Sequence, residues 1–194
     1  MDRHELVKRI IQPIKNGIFV EIGTHTGAFA DFILENSTNS TLYCIDPYIK
    51  YSEYDDAINE ITGDALYEDV YNKLKHKYGD RIHFIRKFSR DAVEDVPSID
   101  FLYIDGNHRY KYVLEELELF YPKVKGCIVG DDAVDTDDEK RNENGDVMVT
   151  WFPGCYGNYG VIKAFREFCE KKNLHGEVIG NQYKIMLNEY NHGH

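Results

Sequence analysis

Three groups of residues in this 194-residue chain have the types and spacing to do chemistry. The first is Glu21-Ile22-Gly23-Thr24-His25-Thr26-Gly27, where a short apolar run stops at one glycine and a second follows. Glycines at such a turn allow tight backbone geometry and close approach of the main chain to a ligand. Turns of this kind also occur with no ligand, so the loop needs context. The second is Asp46, 19 residues after Gly27 and directly before Pro47. An acid at that distance can accept hydrogen bonds from both ribose hydroxyls of an adenosine. It also suits a helix cap or a turn. The third is a set of acids, Asp105 and the pair Asp131-Asp132, with His108 three residues beyond Asp105.

These acids have two readings. Asp131 and Asp132 can begin an acidic surface loop, since Asp135, Asp137, Asp138 and Glu139 follow. Alternatively, Asp105, Asp131 and Asp132 converge at neighbouring strand tips, where like charges repel unless a cation intervenes. Hard carboxylate oxygens with no thiol nearby suit Mg²⁺, Ca²⁺ or Mn²⁺. Such an ion can hold adjacent hydroxyls and acidify one of them. An unperturbed imidazole titrates near neutrality, so His108 fits a general base, jointly with Asp105. It fits equally a loop histidine bonded to backbone. His25 either packs on a ligand or caps the turn.

The elements that must position these residues alternate. Short apolar runs at 18–22, 42–45, 82–85, 99–104 and 127–129 read as buried parallel strands. Helical spacing appears at 28–34, 65–78, 112–120 and 161–169. Residues 177–179 and 183–187 flank Gly180-Asn181-Gln182 and read as a closing hairpin. The pattern predicts an α/β fold with a mostly parallel sheet, helices on both faces and an antiparallel C-terminal hairpin. It predicts one domain over 1–194, with insertions at about 48–62 and 133–158. The second insertion holds Trp151, Tyr156 and Tyr159 and reads as a lid. Its aromatics either stack on a substrate ring or pin the lid to the core. Residues 191–194 read as a frayed tail whose two histidines are not a metal site.

Composition narrows the partners. A net charge of −11 repels polyphosphate, and no Lys/Arg stripe offsets it, so no nucleic-acid partner is expected. No apolar run approaches the roughly 20 residues needed to span a bilayer, and no signal-type segment opens the chain. Cys44 and Cys127 fall in strands, Cys169 on a helix face and Cys155 in a loop. They read as reduced core thiols in a cytoplasmic protein.

The glycine spacing separates ligand classes. Three residues stand between Gly23 and Gly27, with His25 in the middle, where the dinucleotide fingerprint has a further glycine. No Gly-Lys-Ser/Thr follows, so the P-loop is absent. At this point a resemblance becomes specific. Phe19-Val20-Glu21-Ile22-Gly23-Thr24-His25-Thr26-Gly27 resembles motif I of the class I S-adenosylmethionine-dependent methyltransferases, and Tyr43-Cys44-Ile45-Asp46-Pro47 resembles their second motif. The stretch Ile99 to Tyr110, with Gly130-Asp131-Asp132, resembles small sugar O-methyltransferases of the macrocin, aminocoumarin and cephalosporin-hydroxylase-like group. The match runs from about residue 16 to 188.

The resemblance implies a Rossmann-like class I fold and O-methylation of a hydroxyl on a sugar, glycan precursor or other small molecule. It gives S-adenosylmethionine to Glu21, Gly23, Thr24, His25, Thr26, Gly27, Asp46, Ser89 and Asp105, with Ser89 near adenine. Ser89 also suits a helix N-cap. The resemblance favours Mg²⁺ on Asp105, Asp131 and Asp132 over the solvated-loop reading. An NAD-dependent oxidoreductase and a non-catalytic cofactor-binding module remain the alternatives, and a homo-oligomer is compatible with the sequence.

Overall fold

The computed structural model describes residues 1–54, 57–136, 140–152 and 155–187, with the side chains of 57, 58, 151, 152 and 155 outside the description. Helices α1 (Arg3–Ile11), α2 (Ala28–Glu35), α3 (Asp64–Tyr78), α4 (Ser89–Ala92), α5 (Tyr110–Phe120) and α6 (Val161–Lys172) alternate with strands. Strands β1 (Ile18–Ile22), β2 (Thr41–Ile45), β3 (Ile82–Ile85), β4 (Ile99–Ile104) and β5 (Val124–Gly130) run parallel. Strands β8 (Gly176–Ile179) and β9 (Gln182–Met186) close the sheet in the order β3-β2-β1-β4-β5-β9-β8, with β9 antiparallel to β5. The predicted parallel sheet and C-terminal hairpin are both present.

The strands read as continuous apolar runs because both faces are covered. In β4, Phe101 and Tyr103 join a core with residues of α1, α2 and α3, whereas Leu102 and Ile104 join one with residues of α5 and α6. That is the two-residue period of a strand sorted into two layers. The direction of chain travel reverses on the two sides of β1, which leaves a crevice beyond the carboxyl ends of β1 and β4. Among the described residues, no helix is long and apolar enough to cross a membrane. Cys44, Cys127 and Cys169 are buried free thiols.

The 133–158 segment departs from the expected irregular lid. It contains an antiparallel pair, β6 (Val147–Phe152) and β7 (Cys155–Tyr159), so Cys155 opens a strand and is not in a loop. Nor are Asp135 and Asp146 solvated charges. Asp135 is fully buried, accepts the Ile162 amide of the α6 first turn at 3.0 Å, and pairs with Arg141 at 3.0 Å. Asp146 accepts the Tyr110 amide that opens α5 at 2.6 Å. Both helices start without a cap from their own N-cap side chains, and these distant acids satisfy the exposed amides instead. Asp137, Asp138 and Glu139 lie outside the described residues, as do 191–194.

Asp135→Ala takes the carboxylate from Arg141, which keeps the Gly145 and Thr136 carbonyls, and removes the acceptor of a helix-end amide. Loss of one member of a buried pair predicts a stability loss of about 3 kcal/mol. Denaturant titration checks this, and an unchanged midpoint would contradict the capping role.

Candidate functional site

A cleft of about 550 Å³ opens at the carboxyl ends of β1, β2 and β4. Its floor is built by neighbouring strand tips handing hydrogen bonds sideways. Gly23 N–H donates to Ile45 O at 2.9 Å, and Asp105 N–H to Ile22 O at 2.8 Å. Gly23 has φ +91°, and a Cβ there would lie 1.9 Å from the Asp105 carbonyl oxygen. The first glycine is therefore required by the crossing of two chain segments. Gly27 (φ +71°) starts α2, and a Cβ there would meet Val70 and Leu74 of α3 at 2.7 Å.

Asp46 sits at the cleft edge and already has two partners. Its Oδ2 accepts the His25 amide at 2.9 Å and its Oδ1 the Tyr48 amide at 2.7 Å. The Tyr48 hydroxyl donates back to the His25 carbonyl at 2.9 Å. Asp46 thus fills the turn role, and each oxygen keeps a second lone pair for a ligand hydroxyl. The His25 imidazole reaches the 48–62 segment, its Nε2 donating to the Ile61 carbonyl at 2.8 Å. It ties the 48–62 segment to the loop. That segment, with Ile49, Tyr51, Tyr54 and Asn59, forms a wall of the cleft, whereas no described residue of 133–158 lines it. The lid over this cleft is the first insertion. Asn59, which sequence reasoning passed over, knots it by donating to the carbonyls of Tyr51 and Tyr54 at 2.8 and 2.7 Å.

Glu21 and Gly27 do not line the cleft, unlike Gly23, Thr24, His25 and Thr26. Glu21 is 1% exposed in mid-sheet, and its Oε2 has no hydrogen-bond partner. Burial pushes its carboxyl up to about 8. Between the ordinary 4.5 and about 8, an unfolded chain releases this proton while the folded chain keeps it. Stability from this group is therefore full below 4.5 and lost as pH rises through about 8. Glu21→Gln removes that slope, so the variant should gain on the native chain across this window. Urea midpoints near both ends of the window test it; parallel pH curves would refute a buried, protonated Glu21.

The acids at β4 and β5 come together differently from the predicted trio. Asp105 lines the cleft, and burial, with Asp131 nearby, raises its carboxyl to about 6 despite the bond to His108. His108 Nε2 lies 3.4 Å from Asp105 Oδ1 and 3.3 Å from Asp132 Oδ2. The imidazole stacks on Tyr159, with centroids 5.0 Å apart and planes at 2°. Asp131 turns away from this trio. Its Oδ1 accepts from Gln182 Nε2 at 2.8 Å and the Asp132 amide at 2.9 Å, and its Oδ2 from Tyr103 Oη at 2.9 Å and Arg3 Nη1 at 2.6 Å. Burial alone would raise this carboxyl, but these donors outweigh it and hold it below the ordinary range. Ligand atoms of Asp105, His108 and Asp132 lie within 4.8 Å of one another. That set puts an imidazole where the predicted one had a third carboxylate, and it does not fit an oxygen-only Mg²⁺ site.

Ser89 lines the cleft as the first residue of α4, whose N-cap is Phe88, so it is not the cap itself. Its Oγ donates to Glu116 Oε1 at 2.7 Å. Glu116 is 4% exposed, its Oε2 has no partner, and burial lifts it to about 7. It was missed in the sequence, although an acid between Val113 and Phe120 on the apolar face of α5 is a readable anomaly. Unpaired acceptors of Glu116 and Thr24 in a cleft of this volume fit a polar, nucleoside-sized ligand. Tyr156 is exposed, Tyr159 packs on His108, and the Trp151 side chain lies outside the description. The described aromatics of the second insertion thus do not wall this cleft.

Comparison with known proteins agrees with this architecture. The chain superposes on a precorrin-6y C5,15-methyltransferase from Geobacter metallireducens with TM-score 0.60 at 13% identity, covering 94% of this chain and 84% of that one. An O-methyltransferase family protein from Burkholderia thailandensis gives TM-score 0.61 at 11% identity, over 94% of this chain and 54% of that one. A precorrin 8w decarboxylase from Methanobacterium thermoautotrophicum gives 0.57 at 16%, over 96% and 88%. At these identities the likeness is one of fold. An uncharacterized protein of Acanthamoeba polyphaga mimivirus is 29% identical over 126 residues, covering 60% of this chain, and the chain spans about half the length of that relative. A family model described as a methyltransferase domain matches residues 20–133, from β1 through the tip of β5, which takes in the glycine loop, Asp46 and the strand-end acids. By that match the chain belongs to the methyltransferase-domain family.

Proposed function

We propose that this protein transfers a methyl group from S-adenosylmethionine to a hydroxyl oxygen of a small molecule, a sugar or glycan precursor being the favoured class. The observation that carries the reading is the placement of Thr24, Asp46 and Ser89 with Asp105 and His108 around one cleft beyond β1 and β4. The family match supports the donor, and O-methyltransferases among the structural neighbours support oxygen as the acceptor atom.

The donor, when bound, supplies an electrophilic sulfonium methyl. The protein's own work is orientation and proton handling. Asp46 holds the ribose hydroxyls at the edge of the β2 tip, and Ser89 and Glu116 face the base. Asp105 accepts the proton of the attacking hydroxyl, and its raised affinity for a proton suits that task near neutrality. His108, shared between Asp105 and Asp132, orients the accepting carboxylate. The net charge of −11 favours a neutral or cationic acceptor over nucleic acid.

Equilibrium dialysis against S-adenosylhomocysteine and NAD, followed by methyl-transfer assays over sugars, catechols and peptides, tests this. Binding of the first nucleotide alone, with transfer to a hydroxyl compound, is the expected result. Binding of NAD alone would replace this reading with an oxidoreductase; donor binding without transfer to any class would leave a binding module.

A further inference from the structure

Arg3 stands where a cation is needed. The tips of β4 and β5 are adjacent, with the Asp131 amide donating to Ile104 O at 2.9 Å, and they carry Asp105 and Asp131 side by side. Asp131 is 6% exposed, and a buried carboxylate beside another demands a positive partner. The first turn of α1 delivers it from 128 residues away. Arg3 Nη1 lies 2.6 Å from Asp131 Oδ2 and 3.3 Å from Asp105 Oδ2. The guanidinium rests over the Phe29 ring at 4.9 Å, and Leu6, Val7 and Ile11 bury the helix that carries it. Arg3 also lines the cleft.

We propose that Arg3 is the resident cation of this pocket, standing in for the divalent ion that the acids at these strand ends would otherwise hold. The proposal rests on the methyl-transfer reading only in calling this end of the cleft the acceptor side. A guanidinium offsets one carboxylate charge of the pair but, unlike a metal ion, cannot chelate two neighbouring hydroxyls and acidify one by coordination. Deprotonation is therefore left to Asp105, and acceptors are not selected for vicinal hydroxyls.

Mn²⁺ titration of the donor-free chain, followed by the paramagnetic resonance signal of the free ion, tests the substitution. The native chain should leave the signal unchanged. Arg3→Met keeps the apolar stem over Phe29 and loses the charge. It should bind Mn²⁺ more tightly than the native chain by about tenfold or more, and a further Asp105→Asn should abolish the gain. Should Arg3→Met fold poorly, Mn²⁺ should restore its unfolding temperature. Native-chain binding equal to or tighter than that of Arg3→Met would overturn the proposal. So would a folded Arg3→Met with no gain, or an unfolded one that Mn²⁺ does not rescue. S-adenosylhomocysteine dialysis of the native chain is a separate readout; its failure would remove the donor reading and leave the charge substitution standing.

Discussion

Gly23→Ala is expected to destroy the cleft. The residue has φ +91°, and the added Cβ would fall 1.9 Å from a backbone oxygen of Asp105, which no side-chain rotation can relieve. Backbone strain and overpacking together predict a loss of about 4 kcal/mol or more, a large share of a typical domain's stability. If the domain survives, the loop must part from the tip of β4, and nucleotide binding is lost with it. Gly63→Ala is the matched control. Its φ is +133°, but nothing lies within 4 Å of the added carbon, so only strain remains and the expected cost is about 1 kcal/mol. Paired unfolding curves decide the matter. Equal losses at the two sites would show that the approach of Asp105 to the loop is not what makes Gly23 necessary.

The second large effect concerns the proton. With an acceptor in hand from the hydroxyl screen, Asp105→Asn should lower turnover by about 100-fold or more, in the range attributed to a positioned general base. His108→Ala should fall in the same range, because its Nε2 holds the Oδ1 side of the Asp105 carboxylate while Arg3 holds only Oδ2. The double variant should be little worse than either single one, as expected of groups that act as a unit. Affinity for S-adenosylhomocysteine should change far less in His108→Ala than turnover does. A pair of variants with near-native turnover would remove both residues from the chemistry. A double variant showing the product of the two losses would make them independent contributors instead.

The parallel strands, the glycine turn, Asp46 and Asp105 were legible because each is a local pattern. An apolar run, a breaker and an acid at a fixed distance announce a strand tip whatever the rest of the chain does. What stayed hidden depends on distance. The pairing of Arg3 with Asp131 spans 128 residues, and nothing in Met1-Asp2-Arg3 distinguishes that arginine from a solvated helix-end charge. Asp135 and Asp146 cap helices that begin 26 residues later and 36 residues earlier, so nothing local to either acid announces its role. The hairpin β6–β7 was readable in Val147-Met148-Val149-Thr150-Trp151-Phe152, a run rich in β-formers, but its Asp, Asn and Gly surroundings masked it. Asp131 was given to a metal by its strand-end position together with the resemblance, and only its packing against Arg3, Tyr103 and Gln182 shows where its oxygens are spent.

The bonds among His25, Asp46 and Tyr48 have a consequence for the thermodynamics of ligand entry. The loop is held by the protein's own atoms: an amide on a carboxylate, a hydroxyl on a carbonyl, and an imidazole on Ile61. No segment of it has to fold around the guest. Nucleotide binding should therefore lack the unfavourable ordering entropy of a coupled folding event, and its heat-capacity change should reflect only the surface covered inside the cleft.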